Sequence, residues 1–423
     1  MVADHLKYSS RKNLMASANL FKAATVSAMG EQLSILLERA TGDLLDHLDA
    51  NVDLVFVFVT SHLANQLDDH VHLVSERLGT KHVYGCTAES VLCQGTEFER
   101  EPAISIWAAS MPGASITSTI LKFDPHSDGG AFIGWPDEWL GEWEESTFMV
   151  AIADPYSFPM DVWLNRMNED RPGVKIVGGM VSGISGPRDC LLISGQDTYD
   201  QGSLVLRFQG DIRLRSLVSQ GCRAIGNPFI ITKSERNLIL ELGGKPVLQQ
   251  VQNLFNGLSQ RDRGLMRQGL HFGRVVDERM TGLPGTEYLI RNVVGIDEDS
   301  NGLVVGDYVR NGQSIQFHLR DMASAQLELQ NLLSLHARNR KSHLIGGLSF
   351  TCNGRGTRLF NVPHHDSKLI QDFLGPLPIA GFFAAGEIGP IGSHNFLHGF
   401  TNSVALFERA GDGLNDNPTN PRI

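Results

Sequence analysis

The chain has 423 residues, 42% of them apolar and 20% charged, the composition of a globular protein of two domains, each large enough to bury a core. Its formal charge of −11, from 36 basic and 47 acidic residues, argues against nucleic acid or an anionic membrane as partner. Five cysteines without a CxxC pair give no disulfide framework or zinc knuckle and fit a reducing, cytoplasmic setting.

Residues 1–14 contain Lys7, Arg11 and Lys12 without a continuous apolar run, so they read as a flexible extension rather than a secretory signal. Helical spacing of Met29, Leu33, Leu36, Leu37, Ala40, Leu44, Leu45 and Leu48 predicts a helix over 29–48. VDLVFVFVT follows as a buried central strand, too short to span a membrane. A second helix is predicted near 61–78, with Gly79 as its stop, and then the strand HVYG running into CTAES. AISIWAASM (103–111), SITSTILKF (115–123) and TFMVAIAD (147–154) read as strands, followed by a helix near 159–168 and the strand VKIVGG (174–179). CLLIS, SLVLRF and RLRSLVS are three more short strands. FIITKSERNLILELGGKP (229–246) reads as a strand pair, and VLQQVQNLF as a helix. EYLIRNVVGID, LVVGDYV and SIQFHLR form a meander, a helix covers 322–338, and SHLIGGLSFTC and PIAGFFAAGE are strands.

The expected fold is α/β in the α+β sense. It has two similar domains, each a mixed sheet covered by helices, β-rich and with glycine-rich elbows at strand ends. The domains are placed at 15–235 and 236–410, and the polar GDGLNDNPTNPRI (411–423) is read as a disordered tail. A β-run ends in small residues four times, at 83–90, 176–183, 344–352 and 379–387; two duplicated halves with two elbows each would account for this.

Three stretches carry the candidate chemistry. In GFFAAGEIGPIGSHNFLHGF (381–400) the glycines, Gly386 and Gly389 among them, let the backbone line a pocket. Glu387, Asn395 and His398 would face into it; the alternative is a structural turn with a buried acid. In FTCNGRGTRLF (350–360), Arg355 is suited to a carboxylate, beside Cys352 and Asn353; the alternative is a hairpin turn with an exposed arginine. In GCTAES, Cys86 and Glu89 follow a strand end, and a small packed cysteine is the common case. No partner histidine is fixed for a cysteine nucleophile. HVH at 70–72 sits at helical positions that face apart, and HH at 364–365 lacks further ligands, so no metal is expected. No nucleotide-binding, hydrolase-elbow or kinase motif is present and no cofactor is implied.

These segments resemble the FIST family, named for F-box and intracellular signal transduction proteins. The resemblance runs in order through GCTAES, VVGGMVSG, SQGCRAIGNPFIITKSERNLILELGGKPVL, GDYVRNGQSIQFHLRD, SFTCNGRGTRLF and GFFAAGEIGPIGSHNFLHGFTNSVALF, over roughly 20–410. It implies N-terminal and C-terminal FIST domains and a sensory module for small ligands such as amino acids. Free-standing use, with a signalling protein as partner, is expected here, because no F-box or output domain is recognised beside it. A zwitterion would place its ammonium on Glu387 and its carboxylate on Arg355. The competing readings are a protein-interaction scaffold without a small ligand and an enzyme using Cys352 or Cys86.

Overall fold

The computed structural model describes residues 21–127, 129–282, 287–338 and 344–410. The extension expected at 1–14 and the tail expected at 411–423 lie outside the described residues. The fold is mixed α/β and β-rich, with helices against mixed sheets. Two compact units share the chain: one takes the residues up to Val218, Leu332–Leu397 and the chain from Asn402, the other Ser219–Asn331 with His398–Thr401.

The first unit is three variations on one plan. The first repeat supplies strands Lys22–Met29, Leu54–Thr60, Val83–Ala88 and Ala103–Ser110, with the hairpin Ser90–Cys93/Thr96–Glu99 before the last. The second supplies Ala114–Asp124, Phe148–Ala153, Lys175–Met180 and Ser203–Gly210, with the hairpin Leu192–Ser194/Asp197–Tyr199. The third supplies Ile212–Ser219, Leu344–Cys352, Ile379–Ala384 and Asn402–Arg409, with the hairpin Glu387–Ile391/His394–His398. In every sheet of this unit the order runs first strand, last strand, second, third, and then a hairpin donated by a different repeat; the second sheet adds the short strand Ala131–Ile133 outside its first. The exchange is cyclic. The first repeat's hairpin joins the third sheet (Ala380↔Cys93), the second repeat's joins the first (Leu192↔Cys86), and the third repeat's joins the second (Gly178↔Ile388).

Period-two alternation explains the layering. On strand Leu54–Thr60, Leu54, Phe56 and Phe58 enter a core common to all three sheets, and Val55, Val57 and Val59 enter a second core under helix Leu33–Leu48. On Phe148–Ala153, Phe148, Val150 and Ile152 face the common core, while Met149, Ala151 and Ala153 meet Trp163, Leu164 and Met167 of helix Met160–Asp170. Rings from different sheets touch across the common core: Phe58 and Phe382 lie 5.3 Å apart, Trp107 and Phe407 5.4 Å, and Phe148 and Phe407 6.0 Å.

The second unit is one sheet in the order Cys222–Glu235, Ser314–Arg320, His271–Val275, Tyr288–Asp297, Gly302–Val305, Leu238–Leu242 and Lys245–Pro246. The long first strand bends near Ile225–Phe229 and also pairs with Leu238–Leu242, so six strands close on themselves. Ile225, Ile231, Phe272, Phe317 and Leu319 belong to its separate core.

The second and third strands of each repeat run parallel and unusually close. Gly85 lies opposite Val57, Gly178 opposite Ala151 and Gly381 opposite Ser349. A Cβ at any of the three would sit 1.8 Å from the carbonyl oxygen of its partner. The recurrence seen in the sequence is therefore threefold here: 344–352 is the second strand of its repeat, whereas 83–90, 176–183 and 379–387 are equivalent third strands with their exits. Gly85→Ala, Gly178→Ala and Gly381→Ala should each cost at least about 3 kcal/mol, because backbone cannot yield as a side chain does. Gly79→Ala, at φ +68° in open space, should cost only about 1 kcal/mol. Denaturant midpoints of the four variants check this; equal losses at Gly79 and Gly178 would refute the close-approach account.

Candidate functional site

The three exits meet. Ser182, buried at the second exit, accepts a hydrogen bond from the Glu89 N–H (3.0 Å) at the first and donates to the Phe383 carbonyl at the third. Met180 N–H donates to Gly386 O (2.8 Å), and Ala385 N–H donates back to Met180 O (3.0 Å). Gly183, at φ +70°, could carry no Cβ, which would fall 2.6 Å from Glu89 N and 3.0 Å from Ser61 Oγ.

From this junction the first repeat's hairpin sends three carboxylates onto one loop of the third repeat, residues 353–367. Glu89 takes a two-pronged bond from Arg358, with both contacts at 2.7 Å. Glu99 accepts from Thr357 N–H (2.9 Å) and Thr357 Oγ1 (2.6 Å). Glu97 accepts from Ser367 N–H (2.9 Å) and Ser367 Oγ (3.0 Å), in the first turn of helix His365–Leu374. This placement suits a carboxylate at a helix N-terminus. The Glu89–Arg358 pair stays partly open, with 23% and 40% of the side chains exposed. Its hydrogen bond to Glu89, with the charges of Glu89, Glu99 and Cys352 nearby, raises the Arg358 pKa. Asn353 donates its N–H to Ala384 O (2.9 Å), and its carbonyl accepts from Arg358 (3.0 Å). Its Oδ1 is buried without a hydrogen-bond partner.

Arg355 has the opposite fate. It is 0% exposed and grips Asp366 with Nε (2.6 Å) and Nη2 (3.0 Å). Asp366 also accepts from Thr351 (3.2 Å) and Asn402 (3.3 Å) and contacts His365 Nδ1 at 2.9 Å. Burial alone would raise Asp366, but the Arg355 charge and the bonds from His365 and Arg355 outweigh it and hold the carboxyl well below the usual range. Arg355 is therefore not the exposed turn arginine expected from NGRG.

The other expected residues divide similarly. Glu387 is 0% exposed, opposite Gly179 in the sheet, and Glu387 with Arg355 does not form an open charge pair. Asn395 is a buried staple: Oδ1 accepts from Ile176 N–H (2.8 Å), and Nδ2 donates to Asn168 (3.0 Å) and Val174 O (2.8 Å). Gly386 joins the exits through its carbonyl, and a Cβ at Gly389 would strike Val218 at 2.5 Å. His398 is buried and falls with the second unit. Cys86 is packed in the common core, where burial and then the neighbouring Cys190 push its thiol pKa up, as for an inert packed cysteine. Cys352 is half-buried and accepts from Gly354 N–H (3.4 Å). Of the expected set, Glu89, Asn353, Cys352 and Gly386 lie at or beside the junction. Arg358, Ser182, Glu97 and Glu99 were not singled out, although Arg358 stands three residues after Arg355 in the same stretch. Among the described residues no group of three or more metal-ligating side chains is present.

Burial, then the charge of Asp366, pushes the Glu97 carboxyl up to about 7 despite its bonds to Ser367. In the unfolded chain it ionises near its ordinary 4.5. Between these values the native state holds the extra proton, so stability falls as pH rises from about 4.5 to 7 and stays lower above. Glu97→Gln should remove this fall. Its melting temperature relative to wild type should be higher at pH 8 than at pH 5, with a gain of no more than about 3 kcal/mol. The same difference at both pH values would show that Glu97 is charged throughout.

Comparison with known proteins gives two adjoining family matches, the FIST N domain over residues 53–245 and the FIST C domain over 247–390. Their junction falls within the second compact unit. An uncharacterized protein of Mycobacterium tuberculosis is 39% identical over 324 residues, 76% of this chain and 82% of the relative. One of Mycobacterium bovis is 36% identical over 369 residues, 87% of this chain and 94% of the relative. An F-box/LRR-repeat protein of Arabidopsis thaliana is 30% identical over 105 residues, 24% of this chain and 20% of that protein. With the two domain models matching adjoining stretches over most of its length, the chain belongs to the FIST family.

Proposed function

We propose that the protein is a small-ligand sensor whose ligand, an amino acid or a close relative, sits over the junction of the three exits, between Glu89 and Arg358. FIST domains are associated with signal transduction and sensing, and a signalling protein is the natural recipient of the output. The observation that supports this placement is the partly exposed Glu89–Arg358 pair, whose arginine also bonds the backbone carbonyl of Asn353, a residue with a partnerless buried side-chain oxygen. A partly exposed ion pair is worth about 1 kcal/mol or less, so a zwitterion exchanges partners cheaply. Its carboxylate takes the Arg358 fork, and its ammonium takes Glu89 and the Asn353 oxygen. Arg355 serves this site indirectly, by fixing the loop from beneath.

A thermal-shift and calorimetric screen of amino acids and related metabolites tests the proposal. A ligand at a hundred times its Kd should add about 2.7 kcal/mol of stability. Glu89→Gln and Arg358→Gln should each weaken that ligand by about tenfold or more with little change in unliganded stability. Arg355→Lys should lower stability by about 3 kcal/mol and leave the Kd of the folded fraction near wild type. A ligand that still binds Arg358→Gln as tightly, or no shift with any compound, sinks the proposal.

A further inference from the structure

The second repeat carries a surface that the sensor reading does not use. Its segment 130–143 runs beside helix Met160–Asp170, and the two enclose an open groove of about 760 Å³. Phe132, Trp135, Leu140, Val162, Trp163 and Met167 line it. Four of the chain's five tryptophans pack together here, Trp135 and Trp163 in the groove's lining and Trp139 and Trp143 behind it. Trp135 stacks on Trp143 at 6.3 Å with the rings 8° apart, and Trp139 meets both edge-on. Arg171 lies over Trp143 at 4.7 Å and donates to the carbonyls of Trp139 and Leu140. These contacts hold the segment rigidly and spend the arginine internally; Arg166 is likewise paired with Asp170.

The apolar floor reaches into solvent. Leu140 is 66% exposed, Val162 54% and Ile133 48%. Isolated exposed leucines are ordinary, but an apolar groove floored by tryptophan with exposed aliphatic rims marks a contact site. On the helix side the charges in the lining, Arg166, Asp170 and Arg171, are paired or bonded within the chain, and the unpaired excess beside the groove is acidic. Residues 135–146 contain Asp137, Glu138, Glu142, Glu144 and Glu145, all exposed, and no base. The occupant must therefore offer leucine-like anchors along one face and cations along its edges. A helix lying in a helix-lined groove supplies both at i, i+3, i+4 and i+7 spacing.

We propose that this groove is a docking site for a basic amphipathic helix of a partner protein. Apolar anchors enter between Trp135, Leu140 and Val162, and lysines or arginines flank the acids of 137–145. Attraction by the acidic rim makes the association fall with salt.

The probe is a labelled synthetic peptide of leucine and lysine patterned on one helical face, titrated into the full chain by fluorescence anisotropy. Two controls accompany it: the same composition scrambled, and a leucine–glutamate peptide of the same pattern. The patterned basic peptide should bind at least about tenfold more tightly than either control, weaken with salt and shift tryptophan emission to the blue. Leu140→Glu and Val162→Glu change exposed side chains, so the fold should persist while binding falls by about tenfold or more. Glu142→Lys combined with Glu145→Lys should turn the preference toward the acidic peptide. Unchanged binding in Leu140→Glu and Val162→Glu, equal binding of the scrambled peptide, or no binding by wild type overturns the proposal. Self-association of the chain that Leu140→Glu abolishes would do the same, since it would make a second copy the occupant.

Discussion

A parallel strand pair cannot end a sheet without leaving backbone donors and acceptors open, and an uncovered edge recruits whatever strand it meets. In the first unit the third strand of every repeat has such an edge, and a hairpin from another repeat closes it. Much else follows from that exchange. No repeat has a complete sheet by itself, so the three must fold together. In the first and third repeats the hairpin starts within three residues of the third strand's end, and in the second the segment 181–191 comes first, so the exchange draws three chain exits together. Crowding there selects Ala88, Val181 and Ala384 with the glycines beside them. It also leaves backbone groups that regular pairing does not reach, and the Ser182 hydroxyl, accepting from one exit and donating to another, answers two of them.

The third repeat adds a charged loop to this frame, and its two arginines divide the work. Arg355 points inward to Asp366, with Thr351 and Asn402 completing the acceptor's partners. Such a buried pair adds little net stability against an apolar alternative but is costly to half-remove, so it fixes one loop conformation. Arg358, in the short helix Thr357–Phe360, points outward to Glu89. Besides Asp366, the carboxylates that tie the loop down, Glu89, Glu97 and Glu99, come from the donated hairpin and the residue before it, so the exchange that closes the sheet also shapes the candidate site. Glu97 is the costly member of the set: it meets Ser367 well but lies buried and close to Asp366, which pushes its carboxyl up to about 7.

Where the apolar pattern is clean, on one face of an element or on both, the sequence was legible. Helix Leu33–Leu48, strand Leu54–Thr60 and helix Met322–Arg338 lie where their apolar spacing puts them. The helix expected over 61–78 is broken into the 3-10 turn Ser61–Gln66 and two short helices. Gln66 is drawn away to accept from Leu33 N–H (2.9 Å) and donate to Glu31 O (2.9 Å), a long-range bond that no local pattern reveals. The hairpins at 90–99 and 387–398 lie outside the sequence expectation because their strands are only four or five residues long and EIGPI carries a proline; their place is set by the sheet they join. Which of Arg355 and Arg358 turns inward was likewise set by Asp366 and Glu89, distant in sequence or hidden in a helix start. Glycine-rich exits were legible as such, and their meeting was not.

Equivalence of backbone makes the differences among the repeats informative. Four residues after the close-approach glycines Gly85, Gly178 and Gly381 stand Glu89, Ser182 and Ala385: an acid, a hydroxyl and a methyl. Three residues after their partners Val57, Ala151 and Ser349 stand Thr60, Asp154 and Cys352. A junction with three like side chains would present the same group in three directions and could not orient an asymmetric molecule. Here the hydroxyl is spent internally, the methyl is inert, and the acid alone of the three reaches outward, to the one loop that brings a cation. The threefold frame supplies a narrow place where chains cross, and its broken symmetry leaves a polar axis from Glu89 to Arg358, the asymmetry on which the proposed zwitterion site rests.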